Sequence, residues 1–406
     1  MTLRIKDRAR DRYHSLAISS VWSLAKLRGA RAVVVGAGAL GNEVSKNLAM
    51  MGVAAIAVVD RDTVETANLT RSVFFREADH GRPKTEVLAE RVRELNPDVA
   101  VVPLQGELEG VLGLGLLRRV DMVFSCLDSR IARRDLNRLC QKVGVFWVDG
   151  AMQDLEGEVA VYVPGKTGCY ECGLSKVDLE IMAEAKSCRG IALQSLALGK
   201  VPTTPTMGSI VAALQVQEAL KVLHGDLDRS LAGKRMIVNC LLNDFYSVNI
   251  ARVKDCPGHF RFGEITEMAG WTAAATTARE ILDHFERETG EPGVLDLGGE
   301  VVTHLQCSEC LKTTELSKFS HRLLESEALC PVCGHMRVPD TTHAVEPGDS
   351  WVDSPLSRLG TPKLDVLQVR GASGSRWYEL SGDLRGFSAA LGGEPDVAAL
   401  APAQRP

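Results

Sequence analysis

The stretch Ala32-Val33-Val34-Val35-Gly36-Ala37-Gly38-Ala39-Leu40-Gly41 decides the fold. Four apolar residues predict a short strand, and glycines spaced Gly-x-Gly-x-x-Gly then turn the chain into a helix. Glycine suits this turn because it accepts positive φ and lets the backbone approach a ligand, while the next helix presents its unpaired N-terminal amides to phosphate. Leu40, Val44, Leu48 and Met51 recur at helical spacing and give that helix one buried face. A second apolar strand, Ala55 to Val59, ends in Asp60, at the distance expected of a ribose-binding carboxylate. The reading is the first half of a Rossmann-type unit, with a nucleotide at Gly36, Gly38, Gly41 and Asp60.

Taken alone, that fingerprint also fits nicotinamide and flavin enzymes, or a purely structural turn. Downstream, Asn68-Leu69-Thr70-Arg71 and Gly81-Arg82-Pro83-Lys84 add two cations. A dehydrogenase works at a nicotinamide ring and needs no cations converging on a triphosphate. Nucleotidyl transfer does, because charge develops on phosphate oxygens and the leaving pyrophosphate must be held.

From Val33 to Lys84 the sequence, with GAGALG, VVDRDTVE, NLTR and GRPK, resembles the adenylation domain of ubiquitin-activating enzymes. Bacterial sulfur-carrier adenylyltransferases of molybdopterin and thiamine biosynthesis share that domain, and the resemblance extends to about Val253. It implies ATP with Mg2+: Asp60 on the ribose, Asp62 and Asn68 shaping the site, and Arg71 and Lys84 on the phosphates. The apolar run Met122 to Cys126 leads into Leu127-Asp128-Ser129, and ligands in open α/β sheets gather beyond strand carboxyl ends. The family's magnesium aspartate occupies the place of Asp128; the alternative is a helix N-cap for Ile131 to Val143. Arg130 and Arg133, which open that helix, read as a solvated face, with phosphate contact as the alternative.

Formal net charge is −5 over 406 residues, so no global basic field points to nucleic acid or an anionic membrane. Met207 to Leu223, the most apolar helical stretch, carries Gln215, Gln217, Glu218 and Lys221 and reads as a core helix rather than a membrane span. Met1 to Asp11 is charged and unlike a secretory signal, so a cytoplasmic location is expected. Residues 1–30 read as an N-terminal helical segment. The family usually reads Arg-Tyr-x-Arg-Gln where this chain has Arg12-Tyr13-His14-Ser15, so Arg8, Arg10 or Arg12 must substitute for the second arginine, or its contact across a dimer is missing.

The cysteines, 11 in all, group as in metal binding rather than in a disulfide framework. Cys169-x-x-Cys172 and Cys256-x-x-His259 supply four ligands suited to a closed tetrahedral Zn2+ site. Cys307-x-x-Cys310 and Cys330-x-x-Cys333, 20 residues on, read as a zinc ribbon, with a redox pair as the alternative. Cys126, Cys140 and Cys240 lie in apolar segments and read as inert thiols. Cys188 stands between Lys186 and Arg189, cations that favour a thiolate, and precedes Pro202-Thr203-Thr204-Pro205. That loop resembles the catalytic-cysteine crossover of ubiquitin-activating enzymes, which implies Cys188 as a thioester nucleophile.

The domain plan is an α/β Rossmann-like adenylation domain with a mostly parallel sheet, residues 31–259, containing a crossover loop at about 173–206. A small α+β domain with the zinc ribbon follows at 260–385, then a disordered tail at 386–406. By analogy, the small domain is β-grasp-like and docks a conjugating enzyme. The expected function is ATP-dependent activation of a ubiquitin-like β-grasp modifier by a prokaryotic-type homodimeric enzyme, with transfer to a conjugating-enzyme-like partner. Alternatives are a sulfur-carrier adenylyltransferase, a non-catalytic scaffold that binds a modifier, and, more remotely, a nicotinamide dehydrogenase.

Overall fold

The computed structural model describes residues 11–185, 202–320, 323 and 325–390. Its main sheet is built from β1 (Arg31–Val35), β2 (Ala55–Asp60), β3 (Ala100–Gln105), β4 (Met122–Ser125), β5 (Trp147–Gln153), β6 (Glu156–Tyr162), β7 (Lys234–Asn239) and β8 (Asp244–Asn249). The spatial order is β3-β2-β1-β4-β5-β6-β7-β8. The first five strands are parallel and the last three antiparallel. The chain winds outward from β1 to β3, then returns to place β4 on the other side of β1. A crevice therefore opens beyond the carboxyl ends of β1 and β4, where such folds bind ligands.

Both faces of the central strands are buried, which is why they read as unbroken apolar runs. Ala32 and Val34 of β1 join one core and Val33 and Val35 the other, following the two-residue period of a strand. The first face is covered by helices α1 (Ala39–Met51), α2 (Lys84–Leu95) and α5 (Pro205–Leu223); the second carries α3 (Arg130–Val143). A further helix, α4 (Lys176–Ala185), follows β6. The expected core helix starts at Pro205 because Thr204 accepts from the Met207 amide and Pro205 lacks the amide that a first helical turn leaves unpaired.

The C-terminal unit holds β9 (Ile265–Glu267), α6 (Ala278–Thr289), β10 (Val294–Cys307), β11 (Thr313–Phe319), β12 (Arg337–Val345), β13 (Val366–Gly371), β14 (Gly374–Glu379) and α7 (Leu384–Ala390). Its strands run β11-β10-β13-β14-β9, with β12 also paired to β10. The unit is α+β, as expected, and its short first strand, β9, lies parallel to β14. Residues 386–390, expected to begin a disordered tail, complete α7, whose Leu384 and Phe387 are buried in the second core of the main sheet.

The two units are locked together at the amino ends of the strands. Glu379, fully buried, pairs with Arg119 at 2.7 Å and with Arg118, and Glu267 approaches the same arginines at 3.2 and 3.4 Å. The Gly115 amide donates to the Leu364 carbonyl at 2.8 Å, and the Leu114 amide donates to Asp365 Oδ1 at 2.9 Å. Burial pushes the Asp365 carboxyl up to about 6, against the pull of the Leu114 and Val366 amides and Lys142. A carboxyl whose folded pKa exceeds its unfolded one destabilises the fold when ionised, so stability is greatest below its ordinary 3.8 and falls as pH rises through 6. Asp365→Asn keeps an acceptor for Leu114. It is expected to raise stability at pH 8 by about 1–3 kcal/mol and to flatten the dependence between pH 4 and 6, as thermal melts across that range would measure.

Candidate functional site

The glycine turn lies at the switch point between β1 and β4. Gly36 has φ of +97°, and a Cβ there would stand 2.5 Å from the Cys126 carbonyl oxygen. A Cβ on Gly41 would strike the Gly36 carbonyl oxygen at 1.8 Å, so its glycine serves close packing of helix on turn. Gly38, the N-cap of α1, is different: a Cβ there would meet no protein atom within 4 Å. Its missing side chain leaves open space in front of the N-terminal amides of α1, the end of a helix that favours an anion.

Acidic and basic groups converge beside this opening. Asp60 Oδ2 accepts from the Ala37 amide at 2.6 Å and Oδ1 from the Asp62 amide at 2.7 Å. Burial nonetheless raises its pKa, with Lys84 opposing. Lys84, at the start of α2 and 8% exposed, donates to Asp62 Oδ2 at 2.9 Å. The segment carrying it is fixed because Val64 donates to the Arg82 carbonyl at 2.8 Å and Lys84 to the Asp62 carbonyl at 3.0 Å. Asn68 is buried and accepts from the Glu65 amide at 3.0 Å, which shapes the turn that holds Arg71. Arg71 is half-buried, and its Nη1 donates to the Ala67 carbonyl at 3.1 Å. Arg61, held by Glu107 at 2.7 Å, lies within electrostatic reach of Asp128.

Asp128 is exposed on the turn after β4, and it does not cap the helix. Ser129 does, accepting from the Ala132 amide at 3.3 Å. Arg133 corrects the solvated-face reading: it is 9% exposed, with Nε donating to Asp149 Oδ1 at 3.0 Å and Nη2 to the Leu127 carbonyl. The strand ends, not solvent, cover it. Arg130 remains mostly exposed and pairs with Asp178 at 2.9 Å.

Two ligand clusters form as expected, each with its donor atoms within 4.8 Å of one another. In the first, Cys169 Sγ lies 3.8 Å from Cys172 and 3.7 Å from Cys256, and Cys172 Sγ lies 3.2 Å from His259 Nε2. Metal–sulfur bonds of about 2.3 Å in a tetrahedron give sulfur pairs about 3.8 Å apart, so this donor set fits zinc. The knuckle is bound to α3: Arg138 forks onto Glu171 with two contacts of 2.9 Å, and the Tyr170 amide donates to Asn137 at 3.2 Å. Burial raises the Cys169 thiol. In the second, Cys307 lies 3.4 Å from Cys333 and Cys310 lies 3.6 Å from Cys330, at the ends of β10 and the β12 approach. The amides of Cys333 and Val332 hold the Cys330 thiol down to about 6.

Cys188, Arg8 and Arg10 lie outside the described residues. Arg12 donates to the Leu95 carbonyl at 3.3 Å, at the far end of α2 from Lys84. The helix separates them by about 16 Å, so Arg12 lies away from this site. Cys140 is fully buried, while Cys126 and Cys240 are half-buried against the first core.

Sequence reading passed over Asn42. It is fully buried, its Nδ2 donates to the Ala37 and Gly38 carbonyls at 2.8 and 3.0 Å, and its Oδ1 accepts from the Phe74 amide at 3.0 Å. It thereby ties the glycine turn to the segment after Arg71. Its neighbours one turn on, Ser45 and Lys46, are polar, so nothing in the local pattern marked it as buried.

A family model described as the ThiF family matches residues 12–258. The SAMP-activating enzyme E1 of Haloferax volcanii is 33% identical over 232 residues, spanning 57% of this chain and 81% of that protein. The sulfur carrier protein adenylyltransferase of Thermus thermophilus is 32% identical over 255 residues, spanning 61% of this chain and 89% of that protein. Among solved structures, E. coli MccB superposes with a TM-score of 0.50 and 27% identity, over 58% of this chain and 66% of that one.

Proposed function

The chain belongs to the ThiF family, and from that premise we propose that this adenylating enzyme activates the C-terminal carboxylate of a ubiquitin-like protein with ATP. A carboxylate is a poor acyl donor because oxide would have to leave. Its oxygen attacks the ATP α-phosphorus, the bond to the β-phosphate oxygen breaks, and pyrophosphate departs, leaving an acyl adenylate. Lys84 and Arg71 stabilise the charge that develops on the phosphates. Asp60 takes the ribose, Asp62 holds Lys84 until ATP arrives, and Asn68 and Asn42 fix the surrounding turns. Mg2+ bound by Asp128 would neutralise phosphate charge. Cys188 sulfur then attacks the acyl carbon; a thioester forms, AMP leaves with the bonding pair, and the thiol proton passes to solvent. Thioester exchange carries the acyl group to a cysteine of a conjugating-enzyme-like partner.

The observation that carries adenylation is the convergence of Lys84, Asp62 and Asp60 beside the open face of Gly38. Support for a protein substrate comes from β8, the sheet edge, which exposes Phe245, Tyr246 and Val248 at 54, 51 and 46%. Five strand spacings, about 24 Å, separate β8 from β1. An extended tail of about seven residues covers that distance, so a modifier seated on the edge reaches the nucleotide with its C-terminus. The ligand clusters would hold structural Zn2+, and the C-terminal unit would receive the conjugating partner of a homodimer.

Sulfur-carrier adenylation is the second reading, supported by the Thermus relative, which matches as closely as the archaeal one. Intact-mass and non-reducing gel analysis separates the two, with a small glycine-terminated protein encoded nearby as substrate alongside ATP and Mg2+. A thiol-sensitive adduct that Cys188→Ala abolishes while retaining pyrophosphate exchange is the expected result. Adenylate without that adduct would replace it by sulfur-carrier chemistry.

A further inference from the structure

We infer that Arg133 is the positioning residue of the nucleotide site: its guanidinium fixes the Leu127-Asp128 turn, so that Asp128 meets the metal-bound triphosphate in one orientation. The inference rests on the adenylation reading above and deepens it. Asp128 is exposed and makes no hydrogen bond among the described residues, so its carboxylate is only as well placed as the backbone beneath it. Ser129 fixes the start of α3 through the Ala132 amide.

Arg133 supplies that missing constraint. Its Nη2 donates to the Leu127 carbonyl, one residue before Asp128, and reaches the Gly150 carbonyl at 3.4 Å, while Nε holds Asp149 Oδ1 at 3.0 Å. Asp149 pairs in register with Ser125, so the guanidinium bridges β5 to the turn that leaves β4. Asp149 is itself 8% exposed, and its charge anchors the guanidinium where water does not compete. A planar fork satisfies acceptors in three directions, which a lysine ammonium at the end of a flexible stem does not. Groups that orient a metal ligand without touching the metal act in this way, and their loss typically weakens metal affinity about 10–100-fold.

The test uses the full chain as wild type, Arg133→Lys, Arg133→Gln and Asp128→Asn. Calorimetric titration with ATP, with and without Mg2+, is followed by the Mg2+ dependence of pyrophosphate exchange. Both Arg133 variants are expected to bind metal-free ATP within about twofold of wild type while losing about tenfold in Mg2+-dependent affinity, Arg133→Lys less than Arg133→Gln. Arg133→Lys keeps a charge opposite Asp149 and decides the matter where Arg133→Gln unfolds. Wild-type Mg2+ dependence in a folded Arg133→Lys overturns this inference alone, as does equal weakening with and without Mg2+, which would mean a merely structural tie. Unchanged Mg2+ dependence in Asp128→Asn overturns the reading of Asp128 itself, and this inference with it.

Discussion

Lys84→Met is expected to lower ATP–pyrophosphate exchange by about 10²–10³-fold, the largest loss that any single side chain of the nucleotide site should produce. Lys84 is 8% exposed, so water screens it little, and it is anchored at both ends: the backbone amide donates to the Asp62 carbonyl and Nζ to the Asp62 carboxylate. A cation held in this way costs little reorganisation when phosphate charge develops beside it. Methionine keeps the unbranched stem while removing the charge, and Asp62, half in solvent and still approached by Arg61 at 3.6 Å, carries a small penalty. The fold should therefore survive. If the ammonium acts mainly in the transition state, kcat falls more than KM for ATP rises. Full exchange in a folded variant would remove Lys84 from the chemistry.

The glycine turn was legible because Gly36 answers to a positive φ, and Gly36 and Gly41 to close packing that a strand–turn–helix of this kind imposes. Arg133 was not. Among Arg130, Arg133 and Arg134 nothing local separates the arginine that faces solvent from the one that finds Leu127, Asp149 and Gly150, because those acceptors lie on other strands. Asn42 escaped for the same reason: its partners at Ala37, Gly38 and Phe74 meet only once α1 is folded against the turn. Asp128 and Ser129 are neighbours of similar capping propensity, and only the folded turn assigns the cap to Ser129. The tail boundary erred because Ala- and Gly-rich composition conceals Phe387, which is buried against the main sheet.

The ligand clusters were legible across long separations, Cys172 to Cys256 being 84 residues apart, because metal chemistry repeats the same short spacing at each half-site. Two equivalents of zinc per chain are therefore expected by elemental analysis, and the two sites should differ in consequence. Cys256→Ser removes a ligand from the cluster tied to α3 through Glu171 and Arg138, and α3 begins at the Asp128 turn. Structural zinc contributes folding free energy directly, so this variant is expected to melt on the order of 10 °C lower and to lose nucleotide affinity with its second equivalent of metal. Cys310→Ser acts at the far end of β10, in the unit docked at the opposite ends of the strands from Gly38. It should release one equivalent and loosen the β10–β12 tip while leaving pyrophosphate exchange within about twofold, because the strands that carry the tip pack chiefly on one another, β10 on β11 and β12. Equal loss of exchange from both variants would mean that the second cluster reaches the nucleotide site through a partner or a second protomer.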